Sequence, residues 1–253
     1  MLNLLVDAGV ALAAGLTVSL FALTATTVYL HRTVSHRALS MKPPVALVFR
    51  AVVWLSTGIS PRQWAAVHRK HHAFTDVEGD PHSPVLLGWR TVQFRNVSLY
   101  RQALRDPGIV DRYARDLPPD RWDRVLFDHS FVGLGTGVVM LVLVLGPVRG
   151  VLAAAVHANF YLAGNAGVNA LGHRFGRRPY ANLATNLQWL AFLTMGEGLH
   201  NNHHAAPSSP RLSHRRGEID PGWWVIRTLA SMRLATLRFT DIRLGARAKA
   251  GMA

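Results

Sequence analysis

Long apolar stretches alternate with charged segments along the chain, and their lengths predict which helices can cross a membrane. Residues 4–30 contain one charged side chain, Asp7, whereas residues 131–148 and 151–171 contain none. A transmembrane helix rises about 1.5 Å per residue and needs about 20 mainly apolar residues. We therefore expect three full spans, at residues 4–30, 131–148 and 151–171, of which the last two form a hairpin around a turn at residues 147–150.

Two shorter apolar stretches predict a different kind of segment. Residues 45–60 are apolar but contain Arg50, and residues 183–196 form a similar, weaker stretch. Both are too short for a full span, so we expect re-entrant or interfacial segments at 45–60 and 183–196.

Charge distribution predicts how the spans are oriented. Residues 31–71 hold seven basic and no acidic side chains, residues 173–253 hold twelve and four, and the predicted turn holds only Arg149. Because basic residues concentrate on the cytoplasmic side, we place both basic segments inside and Arg149 outside. Residues 72–128 mix eight bases with nine acids, which is typical of solvent-exposed helices.

The predicted architecture is an all-α integral membrane protein with one domain, residues 1–253. Its transmembrane helices carry a cytoplasmic helical cap formed by residues 72–128 and 173–253. The net charge of +14 would also suit a nucleic-acid partner, but the charge-free spans exclude that class. The chain has no cysteine, so disulfides, iron–sulfur clusters and thiol catalysis are excluded as well.

Histidines are concentrated in three short motifs, each next to an apolar segment. The first is His-x4-His, and the other two are His-x2-His-His; their members are His31, His36, His68, His71, His72, His200, His203 and His204. Residues at i, i+3 and i+4 share a helix face, so each His-x2-His-His motif is expected to converge on one point. His31 and His36 are five apart and converge only if the helix ends or bends between them.

Neutral imidazoles gathered in a protein without cysteine suit Fe, Zn, Cu or Ni. Eight donors are too many for one ion, which predicts a histidine-rich site for two metals and suggests oxidative chemistry on a lipid. Three isolated histidines, His129, His157 and His214, are expected to have structural roles only.

The motifs and their flanking residues resemble those of the membrane-bound acyl-CoA and acyl-lipid desaturases of the stearoyl-CoA type. The matching segments are HRTVSHR at 31–37, HRKHHAFTDVEGDPHSP at 68–84 and GEGLHNNHH at 196–204. The resemblance extends over about residues 20–230 and adds an Asn-x3-His motif, Asn169 to His173. It implies two irons held by His31, His36, His68, His71, His72, His173, His200, His203 and His204, with Asn169 holding a water.

The resemblance also implies an activity. The enzyme would use O2 as co-substrate to introduce a cis double bond into a saturated acyl-CoA or acyl-lipid. The position of this double bond would be delta-9-like. Because no fused cytochrome b5 domain is present, electrons are expected from a separate ferredoxin, rubredoxin or cytochrome b5-like carrier with its reductase. The expected location is a bacterial cell membrane, in contact with membrane lipid and with the active site on the cytoplasmic side.

Nearby residues are candidates for supporting roles. Acidic side chains should orient the imidazole N–H groups, and the candidates are Asp76, Glu78, Asp80 and Glu197. Trp64 is expected to lie near the acyl chain, and the basic excess at 173–253 would face an anionic headgroup or anionic lipid.

Some positions depart from the animal members of this family. An arginine that contacts the CoA headgroup is replaced by Ala66, and a tryptophan near the substrate kink by Ala166. Those members also have a further span before the first motif, so either one span is absent here or the true start lies upstream. Headgroup and bond position are therefore left open.

Two other functions remain as alternatives. A lipid hydroxylase of the same superfamily shares the histidine motifs. A non-enzymatic metal transporter needs ionisable ligands inside a span, where only His157 lies.

Overall fold

The longest helix of the molecule carries the first histidine motif. In the computed structural model, which describes residues 2–245, helix α1 (Leu2–Ala25) continues without a break into a π-helical segment, Thr26–Ser35. Among residues 2–245, Leu5–Ser35 is the one helix that is by itself long and apolar enough to cross a membrane. Residues 246–253, the end of the predicted cap, lie outside the described residues.

A sharp bend separates α2 (Pro43–Thr57) from α3 (Pro61–Phe74). The two helices meet at 85° and together qualify as a broken span or a re-entrant segment. The bend needs Gly58, whose φ is +63° and whose missing Cβ would come within 2.9 Å of Leu134 and of the Ser130 carbonyl. The apolar stretch predicted at 45–60 is therefore α2 with its turn, and the bend directs α3 toward the other histidines.

Helices α7 (Ser130–Leu145) and α8 (Pro147–Leu171) form the expected hairpin. The predicted turn at residues 147–150 is wrong, because the chain reverses at Gly146 alone, where φ is +84°. Pro147 is instead the first residue of α8, a position at which its missing N–H costs nothing. Helix α7 has 16 residues, fewer than a full span needs, and α8 packs along α1.

The mixed-charge segment folds into short helices, as its sequence predicts. They are α4 (Pro84–Leu87), α5 (Trp89–Ala103) and α6 (Ile109–Tyr113), followed by a π-helical turn at Asp123–Phe127. Helix α5 packs against α8, and α6 packs against α3.

The C-terminal part of the described chain contributes α9 (Gln188–Leu193), α10 (His200–Ala205) and α11 (Pro221–Ser231). The apolar segment predicted at 183–196 contains α9, which is only six residues long. A two-stranded antiparallel sheet, β1 (Leu39–Met41) with β2 (Ala235–Leu237), pairs Ser40 with Thr236. The fold is thus mostly helical, and this small sheet is a departure from the all-α prediction.

A buried ion pair joins the π-helical segment to α11. Arg32 and Asp220 are both almost completely buried, and the guanidinium donates to both carboxylate oxygens at 2.8 and 3.0 Å. The same carboxylate accepts from the backbone N–H of Leu212 and of Trp223, at 2.7 and 3.0 Å, and so caps α11. One carboxylate therefore holds together three separate stretches of chain.

Removing this carboxylate should destabilise the fold strongly. Asp220→Ala leaves Arg32 buried without its counter-charge, which typically costs about 3–5 kcal/mol. We expect a large drop in the melting temperature of the detergent-solubilised protein, measured by size-exclusion chromatography after heating. The control is Asp241→Ala, because Asp241 forms an exposed pair with Arg243 and should leave the melting temperature unchanged. Equal melting temperatures for both variants would contradict the role given to Asp220.

Candidate metal centre

Nine histidines from four parts of the chain meet in two adjacent groups. Within each group, one ring nitrogen of every histidine lies within 4.8 Å of the others. The first group contains His31, His36, His68, His72 and His203, and the second contains His71, His173, His200 and His204. Ligand atoms around a single tetrahedral or octahedral metal ion, with metal–ligand bonds of about 2.1 Å, lie at comparable distances from one another.

The π-helical segment brings the first motif together. The backbone N–H of His36 donates to the carbonyl of His31 at 3.1 Å, the i→i+5 bond that defines a π-helix. Residues five apart are therefore about one turn apart, and the two imidazole centroids are separated by 4.9 Å. This is the departure from α-helical geometry that convergence of these two side chains requires.

Each His-x2-His-His motif is divided between the two groups. The expectation that each motif converges on one point is wrong, because His71 belongs to one group while His68 and His72 belong to the other. Helix α10 is divided in the same way, with His203 apart from His200 and His204. The Nε2 atoms of His72 and His203 are 2.8 Å apart, and those of His71 and His204 are 3.4 Å apart. Helices α3 and α10 thus face each other across both groups.

Carboxylates hold the outer nitrogen of three of these histidines. Nδ1 of His71 lies 3.0 Å from Asp80, and Nδ1 of His173 lies 2.7 Å from Asp76. Nδ1 of His31 lies 2.6 Å from Glu197, whose other oxygen accepts from Thr27. An Nδ1–H that donates to a carboxylate leaves Nε2 free as an electron-pair donor. Glu78, the fourth acidic candidate, is exposed and has no such contact.

Electrostatics around the site favours carboxylates and neutral imidazoles. Burial raises the pKa of Asp80, but the hydrogen bond from His71, the charges of His71 and His82 and the backbone N–H of His82 together outweigh it, and the pKa falls to about 2. Burial and the neighbouring imidazoles lower the pKa of His200, His203 and His204 well below the usual value. Neutral imidazole is the form that binds a metal.

The surroundings of His173 show whether the site fits a metal ion. Nε2 of His173 is buried and has no hydrogen-bond partner within residues 2–245, although its Nδ1 is held by Asp76. A buried polar atom without a partner costs free energy, and a cation at the centre of the second group would remove that cost. The donor set and this free nitrogen therefore fit transition-metal ions.

A polar cavity lies beside both groups. Trp64 lines it and stacks on His68, with centroids 4.7 Å apart and ring planes at 10°. Asn169 and Glu197 line the same cavity, together with His200. The candidate substrate contact and the candidate water-holding amide thus share one space next to the histidines.

His82 is a further residue at the site to which the sequence analysis assigns no role. Its buried ring stacks on His71 with centroids 4.4 Å apart, and its backbone N–H donates to Asp80 at 3.0 Å. The ring also lines the polar cavity. In the GDPH sequence at 79–82, this histidine comes two residues after Asp80. This short spacing is the sequence signal from which a role for His82 could have been predicted.

The three isolated histidines lie outside both groups. His157 is partnered on both nitrogens, by the Ser19 hydroxyl at 3.0 Å and the Ser56 carbonyl at 2.7 Å. His214 contacts the hydroxyl of Tyr180 at 3.1 Å, and His129 is exposed.

Comparison with known proteins gives the family. The family model described as fatty acid desaturase matches residues 8–218, most of the chain. The chain belongs to the fatty acid desaturase family. The family and the names of its relatives indicate an oxidoreductase that desaturates fatty acyl chains.

Similar desaturases occur in plants and in a cyanobacterium. The chain is 32% identical to an acyl-CoA C20 Delta5-desaturase of Anemone leveillei, over 83% of its own length and 68% of the relative. It is 30% identical to an icosanoyl-CoA 5-desaturase of Limnanthes douglasii, covering 83% and 59%. It is 27% identical to an sn-1 stearoyl-lipid 9-desaturase of Synechocystis, covering 85% and 65%. The chain thus spans about three-fifths to two-thirds of these desaturases.

Loss of a supporting carboxylate should weaken metal binding by this protein. Asp80→Asn removes the negative charge and one of the two acceptor oxygens next to Nδ1 of His71, and such changes typically cost 10–100-fold in metal affinity. We expect a lower metal content by mass spectrometry after dialysis against a chelator. Asp111→Asn, on the surface helix α6, is the matched control. Full metal retention by Asp80→Asn would contradict an orienting role for this carboxylate.

His82 should act by holding the His71 ring in place. We expect His82→Ala to lose metal in the same dialysis and His82→Phe, which keeps a stacking ring, to retain more of it. Equal metal content in the two variants would show that stacking on His71 is not what matters.

Proposed function

We propose that the protein is an O2-dependent fatty acyl desaturase whose two groups of histidines bind two irons. The observation that carries the proposal is the pair of imidazole groups, in which Asp80 and Asp76 hydrogen-bond Nδ1 of His71 and of His173 and Glu197 lies 2.6 Å from Nδ1 of His31. Such carboxylates orient histidines in metal sites, and family membership supports iron among the metals that imidazole suits.

The reaction sets what the site must do. Bound irons supply, with O2, the oxidising power to remove two hydrogen atoms from adjacent unactivated methylenes. The products are a cis double bond and two water molecules, and the balance requires two electrons and two protons from outside. No acid–base group alone can do this, because a methylene has no acidic proton.

Protein residues would bind and orient the reactants. Trp64, which stacks on the proposed ligand His68, presents an apolar face to an acyl chain in the cavity. Asn169 lies in the same cavity beside His200 and would hold a water near one iron. We propose a delta-9-like product, the position named for the Synechocystis relative.

The packing around Ala66 bears on where the headgroup of the acyl substrate could bind. Ala66, which replaces the arginine that contacts the CoA headgroup in animal members, is completely buried against a core that includes Ile109 and Ala114. No headgroup can reach Ala66 in this packing. Both acyl-CoA and acyl-lipid therefore remain proposed substrates.

Electrons would come from a separate carrier protein. Within residues 2–245, the histidine groups and the overlapping set of His71, Asp80 and His82 are the donor clusters that could hold a metal. The cysteine-free sequence offers no thiolates for an iron–sulfur cluster. We further propose insertion in a membrane with the site at the cytoplasmic face, which the basic segments around the histidines support.

Replacing one histidine should abolish activity. We expect two irons per chain in the purified protein and unsaturated acyl chains in a host that lacks its own, located by GC–MS after derivatisation. His71→Ala should eliminate these products because it removes a donor from the second group. His129→Ala, with an exposed imidazole outside both groups, should keep them.

Several outcomes would contradict the proposal. Full activity of a correctly inserted His71→Ala would overturn the metal assignment. Hydroxylated rather than unsaturated chains would identify a hydroxylase of the same superfamily, and metal uptake into vesicles without O2 consumption would identify a transporter.

A further inference from the structure

A groove rich in arginine lies on the surface next to Leu199, the residue that precedes α10. Four arginines, Arg177, Arg178, Arg215 and Arg216, line this arginine groove, and all four are exposed. None of them forms an ion pair within residues 2–245. Four unpaired guanidinium groups on one concave surface create a local positive potential that attracts acidic partners.

The one carboxylate of the groove is already engaged by the protein. Glu218 accepts from the backbone N–H of His214 at 2.6 Å and of Arg215 at 2.9 Å. It also accepts from the side-chain amide of Asn202 at 2.8 Å. These contacts fold residues 214–218 into a fixed turn, and the carboxylate is not used to neutralise a groove arginine.

The floor of the groove lies next to the histidines. Leu199 lines the groove and is bonded to His200, which belongs to the second histidine group. Asn202, which holds Glu218, is bonded to His203 of the first group. A covalent route through Leu199 therefore leads from the arginine groove to the second histidine group. A route that includes the hydrogen bond between Glu218 and Asn202 leads to the first group. Electron transfer through proteins weakens steeply with distance, so a donor seated here would be well placed.

The groove and the cavity beside Trp64 are separate. They share no lining residue: Leu199, which directly precedes α10, lines the groove, whereas His200, the first residue of α10, lines the cavity. An acyl chain in the cavity therefore has no direct continuation into the groove, which argues against a bound substrate headgroup there.

We propose that the arginine groove is the docking surface for an acidic electron-transfer protein. The inference rests on the proposed desaturase function, which needs two electrons from outside. Charge pairing at the rim of such an interface mainly accelerates association, so binding should weaken as ionic strength rises.

The test reverses the charge of the groove in the full-length protein. Arg177→Glu with Arg178→Glu, and Arg215→Glu with Arg216→Glu, are compared with Arg101→Glu plus Arg105→Glu, two exposed arginines on or next to α5. The donor is a [2Fe–2S] ferredoxin kept reduced by NADPH and its reductase, with acidic rubredoxin and the soluble domain of cytochrome b5 as further donors. Desaturation is followed by GC–MS against donor concentration.

We expect the groove variants to raise KM for the donor about tenfold or more and to leave kcat at saturating donor unchanged. KM should increase with salt in the unmodified protein and depend much less on salt in the groove variants. Desaturation driven by dithionite and methyl viologen should not change, and the control pair should behave as the unmodified protein.

The dithionite arm separates the two proposals. If the unmodified protein forms no unsaturated product with any reductant, the proposed function fails. If dithionite supports desaturation but groove reversal leaves donor KM unchanged, or none of the three donors works, the docking proposal alone is overturned. A raised KM for the acyl substrate and a slower dithionite-driven rate would assign the groove to an anionic headgroup instead.

Discussion

The structure depends on nine imidazoles that face one another in a buried space. A buried polar atom must find a partner, and ring nitrogens that point at other ring nitrogens satisfy each other poorly. The free Nε2 of His173 shows the problem most clearly. The proposed pair of metal ions would resolve it for all nine side chains at once, so we expect metal binding and folding of this region to be coupled.

Several local features serve to bring these side chains together. The π-helical segment aligns His31 with His36, and the bend at Gly58 directs α3 toward α10. Asp220 then ties the π-helical segment to α11 through the buried Arg32. The π-helical geometry and the buried charge are costly in isolation. Both belong to the segment that carries His31 and His36, and such costs are usually tolerated at functional sites.

The polar cavity and the arginine groove are suited to different partners. His200 lines the cavity together with Trp64 and Asn169, and Leu199, the residue before it, lines the groove. A reaction that consumes an apolar chain, O2 and externally supplied electrons benefits from this separation, because the donor need not share a route with the substrate.

The sequence by itself determined which residues carry the chemistry and much of the helical plan. Repeated spacing identified eight histidines, resemblance added His173, and apolar stretches located α1, the short segment that is α2 and the helical hairpin. Tertiary structure alone decided how the histidines divide, because neighbours on one helix face can serve different ions when a second helix packs opposite them. It also decided the role of Gly146, the stacking of His82 on His71 and the Arg32–Asp220 pair. These depend on contacts between residues far apart in the chain, about which local spacing carries no information.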